Sequence, residues 1–256
     1  MRKKIIVGNW KMNLDYPQAM GLVDRVIQLT DDAMKTQIVL APPFPYISEV
    51  ELQVMLRTNI IVAAQNCSDK DKGAFTGEVS AAILRSIGAE MVIIGHSERR
   101  TYFNETDDVV AEKVKRTLEN NLKPIFCCGE TKEQRDGGNQ LDVVKTQLTK
   151  GLFHLNKEQI VNVIVAYEPV WAIGTGVNAT AKQAQEMHQH IRNLIKDKFG
   201  ANVSDNISIL YGGSVNAKNA AQIFSCKDVD GGLVGGASLV ADEFVEIIKA
   251  AELLNC

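Results

Sequence analysis

No apolar run in this 256-residue chain reaches the roughly 20 residues that a membrane-spanning helix requires. The basic start "MRKKIIVGNWK" carries an apolar stretch of only Ile5 to Val7, too short for a signal peptide. A basic excess is also missing. The net charge is -3, which argues against nucleic-acid binding, where a basic face is needed. The sequence has no C-x-x-C pair and no H-E-x-x-H or comparable ligand spacing, so it offers no metal site. Its five cysteines, Cys67, Cys127, Cys128, Cys226 and Cys256, are odd in number and read as reduced, mostly buried thiols of a cytoplasmic protein. His188 and His190 stand two apart on an expected helix and so diverge. Low-complexity segments and Pro/Gly/Ser-rich linkers are lacking too, and residues 1–256 read as one domain.

What is present is a repeat of short apolar runs. They are "KIIVGNW", "QIVLAPP", "NIIVAAQN", "MVIIGHS", "PIFCCGE", "VNVIVAYEP", "ISILYGGS" and "GGLVGGAS", beginning near residues 4, 37, 59, 91, 124, 161, 207 and 231. The mean step of roughly 32 residues is the size of one βαβ unit. The runs are rich in Val and Ile without alternation, as expected of strands buried on both faces of a parallel sheet. Cys127 and Cys128, adjacent in such a run, should point to opposite faces. Segments 107–121, 181–200 and 242–254 have helical period between or after the runs. Val110, Val114 and Leu118 form one stripe, and Met187, Ile191, Leu194 and Ile195 form another. Eight strand–helix units suit a single (β/α)₈ barrel of the α/β class, with a doubly wound open sheet as the competing architecture.

In a barrel the working face lies at the C-terminal ends of the strands. Those ends carry Asn9 and Lys11 after the first run, His96, Ser97 and Glu98 after the fourth, and Glu168 after the sixth. The seventh ends in "YGGS" (Tyr211 to Ser214) and the eighth in Gly235 and Gly236. A glycine pair often does no more than end a strand. Two pairs at strands seven and eight fall where barrels bind phosphate through backbone N–H groups. The stretch "GTGVNA" (174–179) imitates a dinucleotide fingerprint but does not open a helix directly from a strand. Taken alone, Lys11 reads as a surface lysine, His96 as a core histidine and Glu168 as a salt-bridge partner. Together they supply an ammonium for a dianion, a hydrogen-bond donor and a base. Glu98 is available to orient Lys11. Pro169 disfavours the helical region for Glu168 and keeps the carboxylate on its strand, while Trp171 to Val177 can swing as a lid. This set points to proton abstraction next to a carbonyl of a phosphorylated substrate, with water excluded from the charged intermediate.

Five segments, "GNWKMN" (8–13), "GHSERR" (95–100), "AYEPVWAIGTG" (166–176), "YGGSV" (211–215) and "LVGGASL" (233–239), resemble the motifs of the triosephosphate isomerase family in the family's order. The resemblance covers nearly the whole chain. It implies interconversion of dihydroxyacetone phosphate and D-glyceraldehyde 3-phosphate through an enediol(ate), in glycolysis and gluconeogenesis, with no metal or organic cofactor. It implies Glu168 as the base, His96 as a neutral electrophile, and Lys11 and Asn9 as substrate binders. The amides of Gly174, Ser214, Gly235 and Gly236 would grip the phosphate, with Ser97 and Glu98 in support. The lid would comprise Pro169, Val170, Trp171, Ala172, Ile173, Gly174, Thr175, Gly176 and Val177. The family is usually a homodimer, and "GAFTGE" (73–78) matches its interface loop. The tip at Phe75, Thr76 and Gly77 would then enter the partner beside its active site. The sequence departs from the family's common pattern at Ala181, where many members carry proline, at Cys128, more often aliphatic, and at Val177, where the residue varies. Two rivals remain: another phosphosugar isomerase or aldolase on the same barrel, and a non-catalytic binder of phosphate ligands. A Schiff-base enzyme would need an inward lysine at a strand end, and Lys11 is the only candidate.

Overall fold

The computed structural model describes residues 2–173 and 179–255. The eight runs form eight parallel strands: β1 (Ile5–Asn9), β2 (Gln37–Ala41), β3 (Ile60–Ala64), β4 (Met91–Ile94), β5 (Lys123–Cys128), β6 (Ile164–Tyr167), β7 (Ile209–Tyr211) and β8 (Gly231–Val234). They pair in chain order. Then β8 pairs back onto β1, with Ile5 opposite Gly231 and Gly8 opposite Val234, and the sheet closes into a (β/α)₈ barrel. Closure rules out the open doubly wound sheet. Two strands begin later than their apolar runs. Val161 caps the short helix Lys157–Ile160 and lies exposed, so β6 starts at Ile164. Ile207 and Ser208 likewise precede β7.

Every strand residue but Lys123 and Ile61 is buried, because each strand has an apolar layer on both sides. Successive side chains alternate between two cores. Val7, Val39, Ile93, Ile125, Cys127, Ala166 and Leu210 help fill the barrel interior. Ile6, Leu40, Val92, Phe126, Cys128 and Val165 face outward into the larger core beneath the helices. Cys127 and Cys128 thus take opposite faces, as adjacent strand residues must. Cys67, Cys127, Cys128 and Cys226 are free thiols, all but Cys226 buried, and Cys256 lies outside the described residues.

The three helical segments form as Asp107–Glu119, Ala181–Phe199 and Ala241–Glu252. In the first, Val110 and Val114 are buried and Leu118 packs partly buried. In the second, Met187, Ile191 and Ile195 are buried and Leu194 is partly so. Ala181 is its first residue. Thr180 caps this helix through Gln183 N–H, and the Gln183 side chain returns a bond to Thr180 N–H, so the start is secured without proline. The helix stops at Gly200, whose φ of +95° suits glycine. On it, His188 is buried against the Asp228 carbonyl, and burial lowers its pKa to about 3. His190 is half-buried, with Nε2 3.1 Å from the Leu141 carbonyl, so the two histidines diverge. No helix among the described residues is long and apolar enough to cross a membrane.

Candidate active site

The strand ends converge on a cavity of about 660 Å³. Its wall carries Asn9, Lys11, His96, Glu98, Ser214, Gly235 and Gly236, so residues far apart in sequence meet as expected. Among the described residues no three His, Cys, Asp or Glu side chains are grouped to hold a metal ion.

Lys11 leaves β1 with a φ of +53°, a left-handed conformation that is costly for a side chain with a Cβ. Two bonds hold it there. Its N–H donates to Asn9 Oδ1 at 3.1 Å, and its carbonyl accepts from Gln65 Nε2 at 2.9 Å. The ammonium then reaches Glu98 Oε1 at 2.6 Å, the orienting contact expected of Glu98. Gly235 adjoins the same side chain, since a Cβ built on it would lie 3.5 Å from Lys11 Cε. The glycine backbone after β8 and the cation after β1 therefore border one point of the cavity.

His96 precedes the helix Ser97–Tyr102, and its Nδ1 accepts the Glu98 N–H at 3.2 Å. Nδ1 is thus occupied as an acceptor, and the ring proton belongs on Nε2. That nitrogen faces Glu168 Oε1 at 3.0 Å. Ser97 completes the contact: its N–H donates to Glu168 Oε2 at 2.9 Å and its hydroxyl to Oε1 at 3.0 Å. Burial disfavours charge on His96, but the facing Glu168 carboxylate outweighs it, with help from Glu98, and raises the ring above its ordinary value. For Glu168, burial acts upward, and His96 with the two Ser97 bonds outweighs it, leaving the carboxylate below its usual range. Each partner is thus a main cause of the other's shift. Glu168 is 1% exposed and stands behind the cavity wall in this arrangement.

The backbone around Glu168 is fixed from both sides. Its N–H continues the sheet to the Cys128 carbonyl at 2.8 Å. Gly212 has a different place from the one its pairing with Gly213 suggested. Its N–H is spent on the Tyr167 carbonyl at 2.7 Å, and a Cβ there would come within 2.9 Å of Glu168 Cγ. The absence of a side chain at Gly212 makes room for the carboxylate stem.

The described part of the expected lid runs from Pro169 to Ile173, with Val170–Ala172 as one turn of 3₁₀ helix and Ile173 on the cavity wall. Gly174, Thr175, Gly176 and Val177 lie outside the described residues. The near end is anchored by Glu130, which sequence reasoning missed. This fully buried carboxylate accepts from Trp171 Nε1 at 2.8 Å, from the Tyr167 hydroxyl at 3.0 and 3.1 Å, and from Arg135 at 2.8 Å. Its carbonyl also accepts the Val170 N–H at 3.1 Å. Gln65 was missed as well. Both follow strand ends, of β3 and β5, so the rule that found Asn9 and Glu168 would have found them.

Phe75, Thr76 and Gly77 stand exposed on a protruding turn, with Phe75 44% exposed. A second, smaller hollow of about 220 Å³ opens beside Lys11 and His96 and is rimmed by Met12, Phe44 and Phe103. Met12 is 96% exposed.

Comparison with known proteins agrees with this geometry. A family model described as triosephosphate isomerase matches residues 4–251. Among similar proteins, the triosephosphate isomerase of Chloroherpeton thalassium is 52% identical over 253 residues, covering 98% of this chain and 100% of the relative. Those of Porphyromonas gingivalis and Cytophaga hutchinsonii are 50% and 49% identical, each across 98% of this chain and the whole of the relative.

Proposed function

Because the chain belongs to the triosephosphate isomerase family, and interconverts dihydroxyacetone phosphate and D-glyceraldehyde 3-phosphate, we propose that Glu168 is the base that moves the proton and His96 the donor that polarises the carbonyl. The observation that carries this reading is the contact of 3.0 Å between the two groups beside a cavity bordered by Lys11 and glycine backbone. With both oxygens capped by three donors, Glu168 is stabilised as an anion and is a weak base. It gains basicity by leaving Ser97 and His96 for the substrate carbon. His96 Nε2–H is then free to donate to the substrate oxygen. The cause of its raised pKa departs with Glu168, and the bond into Nδ1 at the helix start favours the neutral ring. Glu168 takes the proton next to the carbonyl and the electron pair moves to the oxygen held by His96. The proton of the adjacent hydroxyl passes to that oxygen by way of His96 Nε2, a new carbonyl forms where the hydroxyl was, and return of the proton from Glu168 to the former carbonyl carbon completes the isomerisation. Lys11 and Asn9 hold the substrate, and the backbone of Ser214, Gly235 and Gly236 holds the phosphate, with Gly174 of the lid as a further amide. Ser97 and Glu98 act through Glu168 and Lys11. A coupled assay supplied with glyceraldehyde 3-phosphate should show steady formation of dihydroxyacetone phosphate without added cofactor. Aldol products, or binding without turnover, would overturn the assignment.

Residues 1–256 make up one catalytic domain of a cytoplasmic enzyme. It works as a homodimer. The exposed turn at Phe75, Thr76 and Gly77 supports this, as does the apolar-rimmed hollow beside the site. A two-fold interface is self-complementary, so a contact made one way is made the other way too. If the turn enters the partner's hollow, Met12 on that hollow's rim faces the partner's turn. There a cavity of about 590 Å³ lined by Phe75, Ala82 and Ile83 can take it. Replacing Phe75 with glutamate and Thr76 with aspartate should shift the protein from dimer to monomer in sedimentation at micromolar concentration. Activity should fall with it, because the turn buttresses Lys11 and His96 of the partner. An unchanged mass would remove this turn from the interface.

A further inference from the structure

The cavity receives a doubly charged phosphate ester, yet its side chains are poor in positive charge. Among the described residues lining it, Lys11 is the only lysine or arginine. That charge is already answered by Glu98 at 2.6 Å. A second carboxylate, Glu243, also lines the cavity. It stands in the first turn of the helix Ala241–Glu252, a few residues past Gly235 and Gly236. An acid in a first helical turn is ordinary, since the helix N-terminus favours negative charge. Its neighbour Asp242 fills that role and pairs with Arg25 at 3.0 Å. Glu243 does more than this requires. It makes no hydrogen bond or ion pair among the described residues, and no side chain caps the start of this helix, so it does not reach back to the helix start as a third-position glutamate can. An unpaired carboxylate beside an anion site works against the ligand by direct repulsion, strongly so where the wall is poor in water.

We propose that Glu243 is a negative counterweight at the phosphate end of the site: it limits how tightly the cavity holds a phosphate dianion and so sets how fast product leaves. The inference rests on the placement of the phosphate at Gly235 and Gly236. Backbone amides and one compensated lysine provide the attraction. Glu243 reduces it by an amount that grows with the charge of the ligand, which a purely structural role at the helix start would not do.

The test measures dissociation constants of wild type, Glu243→Gln and Glu243→Lys for two probes: inorganic phosphate at a pH where it is a dianion, and the monoanion methyl sulfate. Glu243→Gln should bind phosphate roughly 3- to 10-fold more tightly, and methyl sulfate by about the square root of that factor. Glu243→Lys should bind phosphate more tightly still. With the full substrate, KM should fall in Glu243→Gln, and kcat should fall wherever release limits turnover. Equal gains for both probes, or no gain, would overturn the proposal, and melting temperatures of the variants identify any loss that comes from the helix start. Wild-type protein that fails to isomerise triose phosphates would instead overturn the reading of the site on which the proposal rests.

Discussion

Glu168→Gln should lower kcat by roughly 10²- to 10⁴-fold, the contribution of a positioned general base, while a phosphorylated substrate analogue still binds. The substitution keeps the shape of the side chain. Its amide oxygen still accepts from Ser97, whose N–H and hydroxyl now bond Glu168 at 2.9 and 3.0 Å. What disappears is the anionic basicity that the proposed proton transfer from carbon requires. The loss therefore belongs in kcat and not in affinity. The pH profile carries the same assignment. Glu168 is held below the usual carboxylate range, despite its burial, by His96 and the Ser97 bonds. In the free enzyme the Glu168 carboxyl resonance should titrate at a pH below that of an ordinary glutamate, whereas kcat/KM should begin to fall at higher pH, as His96 takes up the proton that its raised pKa favours. Near-normal kcat in the variant would move the base elsewhere. A Glu168 carboxyl titration at or above the ordinary glutamate value would show that the bonds from Ser97 and His96 do not govern Glu168 in the free enzyme.

Lys11→Met should lower kcat/KM by roughly 30- to 5,000-fold, the range expected when one member of a close charge pair with the ligand is removed. The stem of methionine fills much of the same space, so the fold should survive. The ammonium also balances Glu98 at 2.6 Å. Once it is gone, Glu98 stands uncompensated in a cavity that must accept a dianion, and the two effects act in the same direction. Titration with inorganic phosphate and a phosphorylated inhibitor, alongside a melting curve, separates lost binding from lost structure. Normal inhibitor affinity would show that the backbone amides alone hold the phosphate.

Much of this site was legible because a barrel converts a sequence pattern into a location. Each apolar run marks a strand, and the polar residue at its end marks a place on one rim. Asn9, Lys11, His96, Glu98, Ser214, Gly235 and Gly236 were found in that way, and the structure gathers them around one cavity. Glu130 and Gln65 obey the same rule but do not touch the cavity centre, and their importance lies in what they hold: Trp171 and Tyr167 in one case, the strained Lys11 in the other. Gly212 was legible as a glycine at a strand end, but not as the gap that admits the stem of Glu168. That role depends on the distance between β6 and β7, which sequence does not carry. Glu243 had no signal, since an acid in the first turn of a helix is expected whether or not a ligand lies beside it.

The barrel is sealed by the pairing of β1 with β8, the first and last strands of the chain. Lys11 follows one of them and Gly235 the other, and they adjoin across that seam. During synthesis, then, the ammonium is made near the beginning and must wait for β8 before it meets the glycine proposed to hold phosphate with it. A truncated or partly folded chain lacks that site however much of its sheet has formed. With the phosphate held by both residues as proposed, the binding free energy of a triose phosphate would also oppose the opening of the seam. The contacts proposed to catch the substrate would then also fasten the first strand to the eighth.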